Sequence, residues 1–255
     1  FVHRRVFDVA EAVRRFERLC GGLGVARSDV PVVDYGDLDR ILKAAGARES
    51  DASETVLRGG HGRVRQGLER AERDPVLVFN TFVWENPGTP PRSFRHPRAR
   101  MLNRMLWGVG RDLLFSRRGL HSGLRPEGYI CQGGWGIHTV NGCVHRCDYC
   151  GLGSVVILQL DVERAAEQAA RTFARYPEQK LYRYDLTSDI PCFEPEYDAV
   201  RVLSRTFAEA AKSPVIYTKS DNVDWLLDMP YREHRPFYCT LSMDSVASRI
   251  ERGTP

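Results

Sequence analysis

Lysine is scarce in this chain: of 37 basic residues only Lys43, Lys180, Lys212 and Lys219 are not arginine, so each lysine can be questioned individually. No run of about 18 apolar residues is present, which argues against a membrane-spanning helix. The seven cysteines are an odd number with three clustered, unlike the framework of a small secreted disulfide protein. A reducing, cytoplasmic setting is the expectation. A net charge of +4 is modest and does not by itself call for nucleic acid. No charged-then-apolar leader precedes the first element, and the chain opens on Phe1, so the expectation is that its true start lies upstream. Internal repeats and low-complexity tracts are also missing. What is there is an ordinary apolar fraction, 42%, spread over 255 residues, enough for one large domain or a small one joined to a larger.

Two textures divide the chain. Residues 1–130 mix helical patterns with irregular stretches and read as a largely helical N-terminal domain. VFDVAEAVRRFERLCGGLG places Val6, Val9, Val13, Phe16 and Leu19/Cys20 on one face and closes with Gly21 and Gly22. DLDRILKAAG is a second short helix and LVFNTFVW (77–84) a strand. ENPGTPPRSFRHPRAR (85–100) is a proline- and arginine-rich loop, followed by a helical pattern over 101–115.

Residues 131–255 alternate strands and helices. GWGIHTV, KLYRYDLTS, PVIYTKS and RPFYCTLSM are strands. Between them, the helix from the candidate N-cap Asp161 buries Val162, Ala165, Ala166, Ala169, Ala170 and Phe173, and the helix over 194–212 buries Val200, Leu203, Phe207 and Ala210. NVDWLLDM is a short third helix, and IERGTP begins a fourth at the chain's end. This succession predicts an α/β fold with parallel strands and helical crossovers, in which functional residues gather at strand C-terminal ends. Four strands do not close a barrel. The expectation is a partial β/α barrel, truncated at its C-terminus.

The chemistry is concentrated in NGCVHRCDYCG (141–151), where Cys143, Cys147 and Cys150 stand at i, i+4 and i+7 directly after a strand. Four thiolates would saturate a zinc ion; three on a cubane iron–sulfur cluster leave one iron free for an exogenous ligand. The competing reading is a structural zinc with His145 or His138 as its fourth ligand.

The CxxxCxxC spacing, within a β/α alternation, resembles the radical S-adenosylmethionine superfamily. LTSDI (186–190), YTKSDNVD (217–224), LSMDS (241–245) and RIERGTP (249–255) narrow the resemblance to its spore photoproduct lyase-like branch, over about residues 137–255. The resemblance implies a 4Fe-4S cluster on Cys143, Cys147 and Cys150, and S-adenosylmethionine held by Tyr149, Ser188, Asp189, Lys219 and Ser242. It also implies reductive cleavage of that cosubstrate, fed by an external one-electron donor of flavodoxin or ferredoxin type. Lys219 fits independently, because an anionic carboxylate held near the cluster needs a cation.

The sequence departs from the branch in two places. The cysteine that precedes Thr-Ser-Asp there is Leu186 here, and the tyrosine after the third cluster cysteine is Gly151, so both parts of the hydrogen-return pathway are absent. Cys192 could replace the donor only if its loop folds back. The stretch between Cys150 and Asp161 is also short for the branch. These losses favour an enzyme that tailors a nucleoside, nucleotide or related small metabolite. The alternatives are a DNA photoproduct lyase with a rearranged hydrogen donor, which would need a basic groove with aromatic platforms, and a non-catalytic iron–sulfur or zinc protein. Cys20, Cys131, Cys192 and Cys239 raise a second cluster as a further option, against which simple burial is preferred.

Overall fold

The computed structural model describes residues 1–34, 37–45, 75–82, 135–147, 150, 155–177, 179, 181–185, 187–231, 237–239 and 244–252. The strands are β1 (Val2–His3), β2 (Val32–Val33), β3 (Val76–Asn80), β4 (Trp135–Ile137), β5 (Val140–Asn141), β6 (Arg146–Cys147), β7 (Val155–Gln159), β8 (Leu181–Tyr184), β9 (Ser213–Thr218), β10 (Phe237–Cys239) and β11 (Glu251–Arg252). The α-helices are α1 (Ala10–Gly22), α2 (Leu38–Ala44), α3 (Val162–Arg175), α4 (Ala199–Glu209) and α5 (Asp244–Ile250).

The four expected barrel strands form one sheet in the order β10-β9-β8-β4, every pair parallel. This is the partial β/α barrel that the alternation predicts. A second sheet, β2-β1-β3-β7-β5, is parallel except for its β5–β7 edge. Its strand β7, VVILQ, was not anticipated: it is buried at all five positions and so has no period-two signal to separate it from a loop or helix end. β7 pairs with β3 over five residues, from Val76 opposite Val155 to Asn80 opposite Gln159. The segment after the cysteines is therefore a strand joined to the N-terminal sheet, and one continuous core contains Val2, Phe16 and Phe79 together with Leu158, Phe173 and Phe207.

Packing explains the helices. α3 buries Val162, Ala165, Ala166, Ala169, Thr172 and Phe173, while Ala170 faces solvent, one step of about 100° off the buried stripe. Its Phe173 meets Tyr182 of β8 at 4.6 Å and Phe207 of α4 at 4.9 Å between ring centroids, locking both helices onto the barrel sheet. Asp161 precedes α3 but does not cap it with its side chain; Oδ1 instead accepts the Phe82 N–H at 2.9 Å, tying α3 to the end of β3.

Four other boundaries differ from expectation. A 3₁₀ turn at Arg4–Asp8 precedes α1, because Val9 is extended (φ −126°) and interrupts the helical run. Residues 190–193 form a 3₁₀ turn and α4 starts only at Ala199, where the Glu194 carboxylate accepts the N–H groups of Asp198, Ala199 and Val200. NVDWLLDM contains a 3₁₀ turn at Asp224–Asp228. At the chain's end a helix finishes at Ile250, and Glu251–Arg252 turn into a strand. No helix among the described residues is long and apolar enough to cross a membrane.

Candidate cluster and cosubstrate site

The cysteine segment leaves β4 at Ile137 and is held first by Asp185, at the end of the neighbouring strand β8. Asp185 Oδ2 accepts the N–H groups of Thr139 at 2.9 Å and Val140 at 3.0 Å, and its Oδ1 lies 3.4 Å from His138 Nδ1. Thr187 Oγ1 also lies 3.2 Å from that nitrogen. The chain then turns at Gly142, where φ is +95° and an added Cβ would stand 2.2 Å from the Val155 carbonyl oxygen. Only glycine lets the segment pass so close to β7. The Gly142 N–H donates to Thr187 O at 2.9 Å, which delivers Cys143 beside the end of β8.

Cys143 and Cys147 are buried, with 8% and 5% of their surfaces exposed, and Cys150 is half-buried; none of the three is in a disulfide. The Cys150 N–H closes a turn onto Cys147 O at 3.0 Å. β6 is covered by the antiparallel strand β11, which sets Glu251 opposite Cys147 and Arg252 opposite Arg146. The last described element of the chain is thus strapped across the loop that carries the cysteines.

Asp189 clamps this loop from the other side. Its carboxylate accepts the Thr218 hydroxyl at 2.7 Å, the Lys219 N–H at 2.7 Å, and a hydrogen bond with His145 Nε2 at 2.9 Å. One side chain therefore joins the cysteine loop to the end of β9. Cys192 comes back to the same place: its Sγ lies 3.4 Å from His145 Nε2. His145, Asp189 and Cys192 offer ligand-type atoms within 4.8 Å of one another, the one such group of three among the described residues. Burial, then the charge of Asp189, pushes the Cys192 thiol well above its ordinary range, so it keeps its hydrogen.

The remaining sequence candidates divide cleanly. Ser188 Oγ is buried with no hydrogen-bond partner among the described residues. Lys219 projects to Glu251, with Nζ and Oε1 2.6 Å apart and side chains 15% and 7% exposed. Tyr149, Ser242, Leu186 and Cys131 lie outside the described residues, as do the loop at 85–100 and the helical pattern at 101–115. Of the cysteines raised for a second cluster, Cys20 is buried in the hydrophobic core on α1. Sequence reasoning missed Asp185, Gly142 and Glu251. The Tyr-Asp that ends β8 was a local signal for the first; the other two depend on partners 13 and 32 residues away or more.

Fold and loop together define a class: a partial parallel β/α barrel with a three-cysteine loop at the end of its first strand. No family model matches the sequence, and no curated protein matches it. Solved structures do match, and they are of spore photoproduct lyase. One, a variant with bound AdoMet and dinucleoside spore photoproduct, superposes with a TM-score of 0.58 at 13% identity. A second variant with the dinucleoside spore photoproduct gives 0.60 at 14%, and the enzyme complexed with that dinucleoside gives 0.58 at 14%. Each match covers 100% of this chain and 59% of the other, so the chain spans about three-fifths of the length of the structures it resembles. The fold is thus like that of spore photoproduct lyase, and the match spans the whole chain, whereas the sequence resemblance is confined to about residues 137–255.

Proposed function

We propose that this chain is the radical-generating part of a radical S-adenosylmethionine enzyme, with a 4Fe-4S cluster on Cys143, Cys147 and Cys150. The observation that carries this reading is the setting of the cysteines: Cys143 and Cys147 are buried on the loop that follows the first strand of a parallel β/α sheet, with Cys150 half-buried beside them. His145 meets Asp189 and Cys192 through Nε2, and His138 meets Asp185 and Thr187 through Nδ1. Three thiolates without a fourth protein ligand suit a cluster with one corner left for a cosubstrate.

The residues also fit S-adenosylmethionine. Ser188 Oγ is a buried hydroxyl without a partner among the described residues, as expected of a group kept for a ligand. Lys219 is a cation at a strand end, fixed at its backbone by Asp189. Ser188 and Lys219 would hold the methionine part, Tyr149 and Ser242 would complete the pocket, and Asp189 would act by fixing Lys219 and the cysteine loop. When bound, cluster and cosubstrate would supply one-electron cleavage of a carbon–sulfur bond and a carbon radical that takes hydrogen from a substrate. The electron would come from a flavodoxin- or ferredoxin-type protein.

For the substrate we favour a nucleoside, nucleotide or related metabolite, by analogy with the dinucleoside held in the similar structures. Cys192 favours a second reading, a photoproduct lyase with a rearranged donor, because its protonated thiol does fold back against the cysteine loop. Anaerobic incubation with a strong one-electron reductant and S-adenosylmethionine tests the first claim: 5′-deoxyadenosine is expected, and its absence with an intact cluster overturns it. Cys147→Ala is expected to abolish the visible absorbance of the cluster. Tight DNA binding that falls steeply with salt would favour the lyase over a small-molecule enzyme.

A further inference from the structure

A clamp between the cysteine loop and the end of β9 needs only Asp189 and His145, yet a third side chain joins them. Asp189 stands at the start of the 3₁₀ turn Ile190–Phe193, and the N–H of Cys192, three residues on, donates to Asp189 O at 3.3 Å. Three residues complete one turn of a 3₁₀ helix, so the Asp189 and Cys192 side chains leave it on the same side. His145 reaches that side from the cysteine loop, with Nε2 2.9 Å from Asp189 Oδ2 and 3.4 Å from Cys192 Sγ. One imidazole nitrogen thus faces two heteroatoms, although it can carry only one proton toward them. The three atoms all lie within 4.8 Å of one another. Ligand atoms around a tetrahedral zinc stand about 3.3–3.6 Å apart, so an ion fits among them once the Asp189–His145 edge opens by a few tenths of an ångström.

We infer that His145 Nε2, Asp189 Oδ2 and Cys192 Sγ bind a divalent cation of zinc type, in a site separate from the three-cysteine cluster, with the fourth position left to water or a ligand. A sulfur, an imidazole and a carboxylate together suit zinc, whereas calcium and magnesium take oxygen. The outer contacts that orient the carboxylate are already made. The Thr218 hydroxyl donates to Asp189 Oδ1 and the Lys219 N–H to Oδ2, each at 2.7 Å, which leaves Oδ2 a second lone pair for the ion. Cys192 keeps part of its surface exposed and lines a cavity of about 90 Å³ together with Leu19, Phe79, Phe193 and Glu196, which gives the ion an approach. On binding, the thiol releases its proton to solvent and the imidazole carries its own on Nδ1, so the two charges of the ion meet a carboxylate and a thiolate. The loaded site pins His145 of the cysteine loop to the turn that follows β8. It also ends any role for Cys192 as a hydrogen donor, because a metal-bound thiolate has no hydrogen to give.

The test is zinc binding by anaerobically cluster-loaded protein, read as metal content per chain, as affinity by chelator competition, and as the zinc-edge X-ray absorption spectrum. One zinc per chain beside the cluster iron is expected, with a shell of one sulfur at about 2.3 Å and nitrogen or oxygen at about 2.0–2.1 Å. Cys192→Ala should weaken zinc about a hundredfold or more, strip the sulfur from the shell of what still binds, and retain its iron. Zinc that dialysis removes from the wild type overturns the inference, as does Cys192→Ala protein that binds zinc as tightly. A shell of three sulfurs, with iron displaced, also overturns it by placing the zinc on Cys143, Cys147 and Cys150. That last outcome counts against the cluster reading too, whereas loss of zinc with iron intact leaves the cluster untouched. If Cys192→Ala does not fold, the wild-type spectrum decides alone: one sulfur supports the site, and any other number sinks it.

Discussion

Asp189 shows how much of this site hangs on single side chains. A carboxylate that accepts from a hydroxyl, a backbone N–H and an imidazole cannot be replaced by an amide without turning an N–H₂ toward one of those donors. Asp189→Asn should therefore cost about 1–3 kcal/mol in denaturant unfolding and lower the iron retained per chain. Gly142→Ala should be worse, since its Cβ would overlap the Val155 carbonyl in a backbone conformation that alanine disfavours; loss of cluster loading measured by iron content is the expected readout. At the other end of the chain, burial and the nearby charge of Arg5 lower the pKa of His3 to about 4 from an ordinary 6.5. The folded state thus prefers neutral His3, whose Nδ1 accepts the Arg5 N–H. Its contribution is complete above pH 6.5 and is lost as pH falls toward 4, by at most about 3 kcal/mol. Urea midpoints across that window should fall in the wild type and fall less in His3→Gln. At this scale the cysteines stand out in the sequence by their spacing and Lys219 by the scarcity of lysine, while Ser188 and Asp189 stand out only through the family resemblance; their roles belong to the proposal. Glu251 and Gly142 do not stand out: each is explained only by a strand that arrives from elsewhere in the chain.

Elements were read best where period and composition agree. β8 and β9 came through, with α3 before them and α4 between them, as did β3. β7 did not, since an all-buried strand carries no alternation, and neither did β11, since two residues are too few to form a pattern. Phe173→Ala, which removes a ring shared by α3, β8 and α4, should cost about 3–5 kcal/mol in chemical denaturation. Removing residues 244–255 should leave β6 without its antiparallel partner. Faster amide exchange at Arg146 and Cys147, and weaker iron retention, are the expected results; unchanged exchange would show that the strap does not hold the loop.

Across the whole molecule, the two sheets are joined by polar ties as well as by a common core. The buried Arg15 of α1 donates to Tyr197 O at 2.6 Å and to Leu160 O, and pairs with Glu163 of α3 at 2.7 Å. The Tyr197 hydroxyl in turn donates to Gln159 O at 2.7 Å, on β7. Composition suggests a division into two textures near residue 130, but the hydrogen-bonded joining of β3 to β7 across that point was not legible, because pairing between segments so far apart leaves no local trace.

That joining bears on how the protein would mature. The cysteine loop runs between β4 in one sheet and β7 in the other, and β7 lies beside β3, which the Phe1 amino group ties to the start of the chain across 76 residues. Short metal-binding peptides gain their shape from the ion they capture. Here the loop that bears the thiols is fastened to strands that pair over long sequence separations, so supplying iron and sulfide during refolding should leave the refolding rate unchanged.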